Sequence, residues 1–391
     1  MDRLRFPTFA VAGALIVFFA GLWLGGHPSS LPDGLRDTFV AKDTAVRDEV
    51  IDTIQRNFYK KVPRKSLETA SLKGIVQSLN DRYSQYFTPS ETKAFNQSVN
   101  GEFEGVGMSV KPGRRGLRVI SVFANSPAAK AGIRKDDLIT KVNGQSITGS
   151  KANDATDRIK GKPGTSVTLT LLSPGESKAR TITLIRARIK VPVTKGRLVT
   201  VGGTKVGVAA LSTFSDGAHG KLRDQVNSLL RQGAKGIVLD LRGNGGGLLQ
   251  EGRLVASIFV DKGLIVSTRG RSSPEQKLSA AGGAISSKVP VVVLVDGGTA
   301  SAAEIVTGAL RDHHRATVVG TRTFGKGVFQ EIEPLSNGGA LDLTVGRYFL
   351  PNGENLTGRG IEPQVPARDN PRTKRDEALD RALSTLRSKV A

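Results

Sequence analysis

The chain contains no cysteine and few aromatic residues. Its 391 residues include two methionines and one tryptophan, and 38% of them are hydrophobic. The absence of cysteine excludes disulfide bonds, zinc–cysteine sites and thiol nucleophiles, so covalent chemistry falls to serine, threonine, lysine or carboxylates. The hydrophobic fraction is ordinary for a globular protein, and the length allows two or three domains with substantial cores.

Histidine is also scarce. The four histidines are His27, His219, His313 and His314. None has a context that points to a Ser-His-Asp triad, and the sequence has no Gly-x-Ser-x-Gly elbow. A nucleophilic serine in this chain would therefore need another base.

The net charge of +22 comes from lysine and arginine residues spread along the chain. Local basic clusters are short, and neither an RNA-binding motif nor aromatic–basic interleaving is present. A nucleic-acid partner is therefore not predicted. Attraction to anionic lipid headgroups or cell-wall polymers fits an exported protein with this balance, and a generally basic proteome is the alternative.

The candidate nucleophile is Ser301. The β-branched run Val291 to Val295 predicts a strand buried on both faces, and Gly297 and Gly298 allow a sharp turn into a helix that carries Ser301 in its first turn. The alternative is structural, with Thr299 or Ser301 capping that helix.

The candidate base is Lys326, which lies between two glycines after a short apolar strand. A lysine can activate serine if burial makes its ammonium lose its proton near neutral pH. The apolar side chains expected to exclude water are Phe324, Val328 and Phe329. A surface lysine in a hairpin is the alternative interpretation.

A third segment, residues 236–250, predicts a buried strand followed by Gly245, Gly246 and Gly247 at the start of a helix. Successive glycine N–H groups near a helix start can form a nest for a negative oxygen. The segment lacks the pattern of a phosphate-binding loop. It is a candidate oxyanion hole, with a tight structural turn as the alternative.

Together these segments resemble the C-terminal processing, or tail-specific, peptidases, which are serine/lysine endopeptidases with a PDZ domain. The resemblance implies that Ser301 is the nucleophile, Lys326 the general base and Gln330 the residue that orients the lysine amine. It also implies oxyanion donors at the Ala302 backbone and at one glycine of the 245–247 run. No metal or organic cofactor is implied.

The resemblance implies a multidomain α/β architecture. The predicted ranges are a transmembrane anchor or signal segment (1–26), a helical region (27–95), a PDZ domain (96–187) and a crotonase-like serine/lysine protease core with a C-terminal helix (188–391). Periodic apolar residues predict helices near residues 46–58 and 67–79. In the family such helices commonly support dimerisation, so a homodimer is a hypothesis.

The PDZ prediction has its own support in the sequence. Gly105, Val106, Gly107 and Met108 have the glycine–apolar pattern of a loop that binds a peptide's terminal carboxylate and leads into an edge strand. Residues 153–159 are expected to form the other wall of the groove, in which an extended peptide adds a strand. Another small β-barrel is the alternative.

The prediction of cellular location rests on residues 1–26. Arg3 and Arg5 precede an apolar run from Phe6 to Leu24, long enough to span a bilayer or to act as a signal sequence. Basic residues before the run predict an N-terminus in the cytoplasm and an extracytoplasmic remainder. Secretion after signal cleavage is the alternative.

Residues 90–93 formally have the Ser-x-x-Lys spacing of penicillin-binding enzymes. The Lys-Thr-Gly or Lys-Ser-Gly strand that those enzymes need is absent. Ser90 follows Pro89 and is interpreted instead as a helix N-cap.

The sequence thus predicts a membrane-anchored, extracytoplasmic serine endopeptidase whose partners are proteins or peptides with unstructured C-termini. A PDZ scaffold with a latent protease core is the main alternative. An esterase or amidase using the same two residues is a third, which the PDZ domain disfavours because small substrates do not need strand addition.

Overall fold

The computed structural model describes residues 42–148, 152–272 and 274–390, together with Val17. The predicted N-terminal membrane segment therefore lies outside the described residues apart from that one position. Within the described ranges, no helix has the length and apolar character needed to cross a bilayer.

The chain divides between Tyr86 and Phe87 into two compact units. In the first unit, α1 (Lys42–Asn57) contacts α2 (Arg64–Gln77), which confirms the two helices predicted from the apolar period. Arg64 forms ion pairs with Asp48 and Asp52 and so joins the two helices. Strand β1 (Gln85–Phe87) follows at the division between the units.

The second unit begins with α3 (Pro89–Val99). Its N-cap is Thr88, whose hydroxyl accepts a hydrogen bond from the Glu91 N–H, while Glu91 Oε2 accepts one from the Thr88 N–H at 2.8 Å. The prediction of Ser90 as the N-cap is therefore wrong. The helix begins at Pro89 because proline, with its fixed φ and missing N–H, is favoured at the first helical position.

Residues 102–190 form a small β-domain around their own apolar core. One sheet has the order β3-β4-β5-β7-β8, β6 pairs with β5, and β2 pairs with β9. Its helices are α4 (Pro127–Lys130) and α5 (Ala152–Ile159), and α5 packs against the edge strand β3. Its strands are β2 (Glu102–Gly105), β3 (Met108–Gly113), β4 (Gly116–Val122), β5 (Leu138–Val142), β6 (Gln145–Ser146), β7 (Ser166–Leu172), β8 (Arg180–Ile185) and β9 (Ala187–Lys190).

The remainder is built on a mostly parallel sheet of order β10-β11-β12-β15-β16-β19. Its strands are β10 (Thr194–Val201), β11 (Thr204–Leu211), β12 (Ile237–Asp240), β15 (Val291–Val295), β16 (Ala316–Gly320) and β19 (Val365–Pro366). Only β10 runs antiparallel to its neighbour. The run from Val291 to Val295 is buried throughout, as its uninterrupted β-branched sequence predicts.

Helices cover both faces of this sheet. On one face lie α6 (Ala218–Arg231), α7 (Leu249–Ala256) and α8 (Ala302–Asp312), and on the other lies α9 (Glu377–Val390). A second, antiparallel arrangement places β18 between β13 and β17 and pairs β13 with β14. Its strands are β13 (Leu264–Gly270), β14 (Gln276–Ser279), β17 (Val328–Pro334) and β18 (Ala340–Phe349).

The three segments singled out in the sequence all follow neighbouring parallel strands. Residues 241–248 follow β12, residues 296–301 follow β15, and residues 321–327 follow β16. The carboxyl ends of parallel strands meet at one edge of a sheet, which is where α/β proteins bind ligands. The topology therefore brings the candidate nucleophile, base and oxyanion loop together.

An arginine holds the first of these loops against the C-terminal helix. The Arg242 guanidinium bonds Asp376 at 2.8 and 3.0 Å and Asp240 at 2.8 and 3.0 Å. The hydrogen bonds from Arg242 lower the pKa of the Asp376 carboxyl. This interaction therefore contributes stability above the unfolded-state pKa, and that contribution is lost as the pH falls through the lower folded-state value.

We expect Asp376→Asn to lower the free energy of unfolding at pH 7 by about 1 kcal/mol, since the carboxylate is partly exposed and solvent screens the pair. Urea unfolding at neutral pH and at acid pH measures the effect, which should shrink as the pH falls through the lowered pKa of Asp376. Asp380→Asn, at an exposed pair with Arg375, is the control. An equal loss at both pH values would contradict the assignment.

Candidate active site

A cavity of about 630 Å³ opens at the carboxyl edge of the parallel sheet. Six of the residues predicted for catalysis line it: Ser301, Ala302, Lys326, Gln330, Gly245 and Gly247. Helix α3 and the second sheet supply apolar wall, including Phe95, Val99, Phe329 and Ile332. The cavity is thus large enough for several residues of an extended peptide and has a mostly apolar wall near the serine.

Ser301 occupies the N-cap position of α8 with φ of 55° and ψ of −121°. A non-glycine residue in this region of backbone space is strained, and such strain is found where a side chain must be held in one direction. Ser301 directly precedes the helix, which is the position that the structural alternative assigned to a capping residue. Thr299, however, does not cap it: its hydroxyl donates to the Leu241 carbonyl at 2.9 Å and accepts from the Asp296 N–H at 3.0 Å.

Glu304 connects the serine and lysine segments. This fully buried carboxylate accepts hydrogen bonds from the N–H groups of Ser301 at 2.9 Å and Lys326 at 2.9 Å. It also accepts from the Gly325 N–H at 2.8 Å and from the Thr323 hydroxyl at 2.5 Å. One side chain therefore fixes the backbone on both sides of the cavity.

Burial raises the pKa of the Glu304 carboxyl, and the hydrogen bonds from Thr323, Lys326, Gly325 and Ser301 act in the opposite direction. The four donors match the acceptor capacity of an ionised carboxylate. The hydrogen bonds therefore favour the charged form, whereas burial, which is the larger effect, favours the neutral form.

Lys326 lies in a connection between the two sheets, so the alternative of a surface lysine in a hairpin is wrong. The lysine is half-buried and lines the cavity, and its carbonyl accepts a hydrogen bond from the buried Tyr348 hydroxyl. A Cβ on Gly325 would lie 2.8 Å from the Gly360 nitrogen, and one on Gly327 would lie 2.5 Å from the Thr357 nitrogen. The two glycines thus allow the close backbone approach that the sequence suggested.

The apolar surroundings of Lys326 differ in part from the prediction. Phe329 lines the cavity, but Phe324 remains 48% exposed and, like Val328, is not part of the cavity wall. The Phe324 N–H donates to the Thr299 carbonyl at 3.0 Å, which holds its backbone against the β15 loop while its ring points outward.

Gln330 lies on β17, four residues beyond Lys326. Its Nε2 donates a hydrogen bond to the Thr344 hydroxyl on β18 at 3.0 Å. The amide nitrogen is therefore held by the neighbouring strand, and the amide oxygen is left as the acceptor of this side chain.

The three glycines of the β12 loop have different environments. Gly246, with φ of +97°, packs against the serine: a Cβ there would lie 2.8 Å from the Ser301 Cβ. Its N–H donates to the Asn244 side-chain oxygen at 2.9 Å and its carbonyl accepts from the Phe214 N–H at 3.0 Å. Gly246 is therefore a close-packing position, whereas Gly245 and Gly247 face the cavity.

The predicted carboxylate-binding loop lies in the β-domain and is not part of this cavity. The carbonyls of Val106 and Gly107 accept hydrogen bonds from the N–H groups of Ala128 at 2.8 Å and Phe123 at 2.9 Å. Since a trans peptide points its C=O and the next N–H in opposite directions, the N–H groups of Gly107 and Met108 face away from these partners. Gly107 has φ of +83°, and a Cβ there would lie 2.1 Å from Ser126.

The sequence reasoning missed the buried polar residues that support the site. Besides Glu304 and Thr323, these include Asn244, which is fully buried and also donates from Nδ2 to the Leu211 carbonyl at 2.8 Å. The available signal was a glutamate in a helix whose other residues from 302 to 310 are all apolar or small apart from one threonine. A charge on an otherwise apolar helix needs buried partners.

Two family models match parts of this chain. The model for "Peptidase family S41" matches residues 205–367, and a PDZ domain model matches residues 118–173. A carboxy-terminal-processing protease of Bartonella bacilliformis is 40% identical over 90% of this chain and 82% of its own length.

Two further relatives extend the comparison. A probable CtpA-like serine protease of Staphylococcus aureus is 37% identical over 81% of this chain, and the chain spans 63% of that relative's length. A solved photosystem II D1 C-terminal processing protease is 28% identical with a TM-score of 0.52, and the match covers 89% of this chain and 98% of that one.

Proposed function

The chain belongs to peptidase family S41, as the sequence resemblance predicted, and from this premise we propose that it is a serine endopeptidase acting on proteins with accessible, unstructured C-termini. The observation that carries the proposal is the arrangement around Glu304. Ser301 and Lys326 come from different loops, line one cavity and are tied to the same buried carboxylate. A strained serine and a half-buried lysine lining the same cavity are not needed merely to connect strands.

In the proposed mechanism, Ser301 Oγ attacks the carbonyl carbon of the scissile peptide bond. Neutral Lys326 Nζ takes the hydroxyl proton and passes it to the leaving amine, and water then hydrolyses the acyl-enzyme. Gln330 would hold the lysine amine with its side-chain oxygen, because its nitrogen is already bonded to Thr344. Glu304 would position both reacting residues without taking part in proton transfer.

The proposed oxyanion donors are the Ala302 N–H and the N–H of Gly245 or Gly247. Ala302 is the first residue of α8, so its N–H has no acceptor within the helix. Gly246 is disfavoured because its N–H is used by Asn244. Each donor should lower the barrier by about 3 kcal/mol if it behaves as in other serine proteases.

The PDZ domain is proposed to capture the substrate's C-terminus. The outward N–H groups of Gly107 and Met108 support a carboxylate site, and β3 offers an open edge beside α5 to which an extended tail can add. The side-chain pocket would be apolar, since Val106 and Ile159 belong to the core of this domain.

Membrane anchoring and extracytoplasmic location remain proposals based on residues 1–26 of the sequence. The homodimer likewise remains a prediction. Apolar side chains of α1 and α2 that are more than half exposed, Val46, Val50 and Ile75, are compatible with it.

A pair of reporter substrates tests the proposal: an unfolded protein with an apolar C-terminus, prepared with a free terminal carboxylate and with a terminal amide. We expect the full-length chain to cleave the free form with a KM at least about 10-fold lower, because the amide removes a charged acceptor from the loop. The rate at saturation should rise with pH through one deprotonation. Binding without cleavage would favour the scaffold alternative, and equal KM values would contradict tail recognition.

A further inference from the structure

The β-domain contains one buried guanidinium, among the residues described, that is held by uncharged oxygens alone. Arg186, which is 9% exposed, connects β8 to β9. Its Nε donates to the Ile159 carbonyl at 2.9 Å and its Nη2 to the Arg158 carbonyl at 2.7 Å. Both carbonyls belong to the last turn of α5, where no N–H group of the helix is left to donate to them. A cation there also offsets the negative end of the helix dipole.

The same side chain reaches the segment that follows α5. Its Nη1 donates to the Ser166 carbonyl at 2.6 Å and to the Thr165 hydroxyl at 2.9 Å. Gly161, with φ of +154°, makes room for it, since a Cβ there would lie 2.8 Å from the guanidinium Nε. Arg186 therefore ties the C-terminal end of α5 to the start of β7, in addition to the packing of Ile159 in the core.

The backbone next to Arg186 is connected to the carboxylate-binding loop. Ala187, the next residue, pairs with Gly105 in the β2–β9 ladder, and Gly105 begins that loop. A Cβ on Gly105 would lie 4.0 Å from the Lys160 Cα, so the end of α5 lies against the same point. Arg186 thus holds the helix side of the groove through its side chain, and the residue after it, Ala187, pairs with the start of the loop on the other side.

We propose that Arg186 is a positioning residue that sets the width of the groove between α5 and β3 and thereby the affinity for C-terminal tails. This inference rests on the proposed tail recognition. An apolar side chain of similar size could fill the space but could not hold the carbonyls of residues 158, 159 and 166 at once. Without that hold, α5 is free to rotate or shift away from β3, and the pocket for the terminal side chain loses its shape.

The test measures tail binding apart from catalysis. Binding of a fluorescent apolar peptide to full-length Ser301→Ala protein gives Kd, and steady-state cleavage by the Ser301 protein gives KM and kcat. Arg186→Met should raise Kd and KM about 10-fold or more, with kcat at saturation within about 2-fold, because uniform binding is lost and the chemical step is not. Arg186→Lys, which keeps the charge but offers fewer donors in one plane, should have an intermediate effect.

Arg118→Met is the matched control, at a half-exposed arginine of the same domain that lies 3.9 Å from Asp136; it should leave Kd unchanged. If Arg186→Met binds the peptide as tightly as its parent, the inference is wrong while tail recognition stands. If the parent protein binds the free and the amidated peptide with the same Kd, tail recognition is contradicted, and the inference that rests on it is contradicted as well. If Arg186→Met does not fold, Arg186→Lys decides: a raised KM with unchanged kcat supports the role, and an unchanged KM overturns it.

Discussion

Replacing Ser301 with alanine should lower kcat for a tail-bearing substrate by roughly 10⁴-fold or more, because the step that forms the acyl-enzyme has no other nucleophile. Lys326→Ala should be nearly as inactive, since it removes the proposed base from the cavity that Ser301 also lines. The double variant should be no worse than either single variant, because residues that act as a unit are not additive. Steady-state cleavage from about pH 6 to 10 measures these rates, and the pH profile reports the ionisation on which the reaction depends.

Tail binding provides the control for this prediction. Both variants should bind the free-carboxylate peptide with wild-type Kd, since neither residue belongs to the β-domain. Lys288→Ala, at an exposed lysine on the segment before β15, should keep full activity. A Ser301→Ala protein that retains measurable turnover above background would eliminate the serine mechanism, and a fully active Lys326→Ala protein would require a different base.

Glu304→Gln should lower kcat by about 100-fold although Glu304 does not touch the reacting atoms, because displacements of about 1 Å in a reacting group can have that effect. The carboxylate accepts two hydrogen bonds on each oxygen. An amide would turn its NH₂ group toward two of those donors and leave them without an acceptor. We therefore expect both the Ser301 backbone and the Lys326 loop to shift.

The pH dependence of stability separates this role from simple core packing. Because burial raises the folded-state pKa of Glu304 above its unfolded value, its ionisation opposes folding. The unfolding free energy of the wild type should therefore decline as the pH rises through that raised pKa, and Glu304→Gln should lack this decline. Urea midpoints measured from acid to neutral pH test this expectation.

Glu251→Gln is the matched control for Glu304→Gln. Glu251 is also buried, at 5% exposure, and also accepts backbone hydrogen bonds, from Gly217 and His219. The control should lose stability but keep kcat within about 3-fold, since its partners lie at the start of α6 and not in the catalytic loops. An equal loss of kcat in the two variants would indicate general loosening of the core and would contradict a specific role for Glu304.

Much of this site could be predicted because the candidate catalytic residues lie beside unusual local sequence patterns. The apolar run before Ser301 and the glycines around Lys326 are unusual enough to point to function without any structure. Whether their side chains act as the resemblance implies remains a prediction. The sequence does not single out Glu304, because its four partners are brought to it by loops that follow different strands.

The sequence does not determine which of the three glycines is the better candidate for an oxyanion donor. Gly245, Gly246 and Gly247 are the same residue type, and only the structure shows that their surroundings and the directions of their N–H groups differ. Asn244 makes the difference by accepting the Gly246 N–H, and a buried asparagine beside glycines looks like an ordinary turn residue in the sequence. The cap of α3 was misassigned for a similar reason, because Thr88 and Ser90 are both good caps and Pro89 decides between them.

The cavity lies at the carboxyl edge of the parallel sheet, so the opposite edge is the better place to modify the protein. The turn at Gly202 and Gly203, the segment 232–236 and the segment 313–315 all precede strands and so lie at the edge opposite the cavity. Surface turns of this kind accept added residues with small loss of stability. Epitope tags, fluorescent groups or immobilisation handles inserted at Gly203 would therefore leave the substrate path unobstructed.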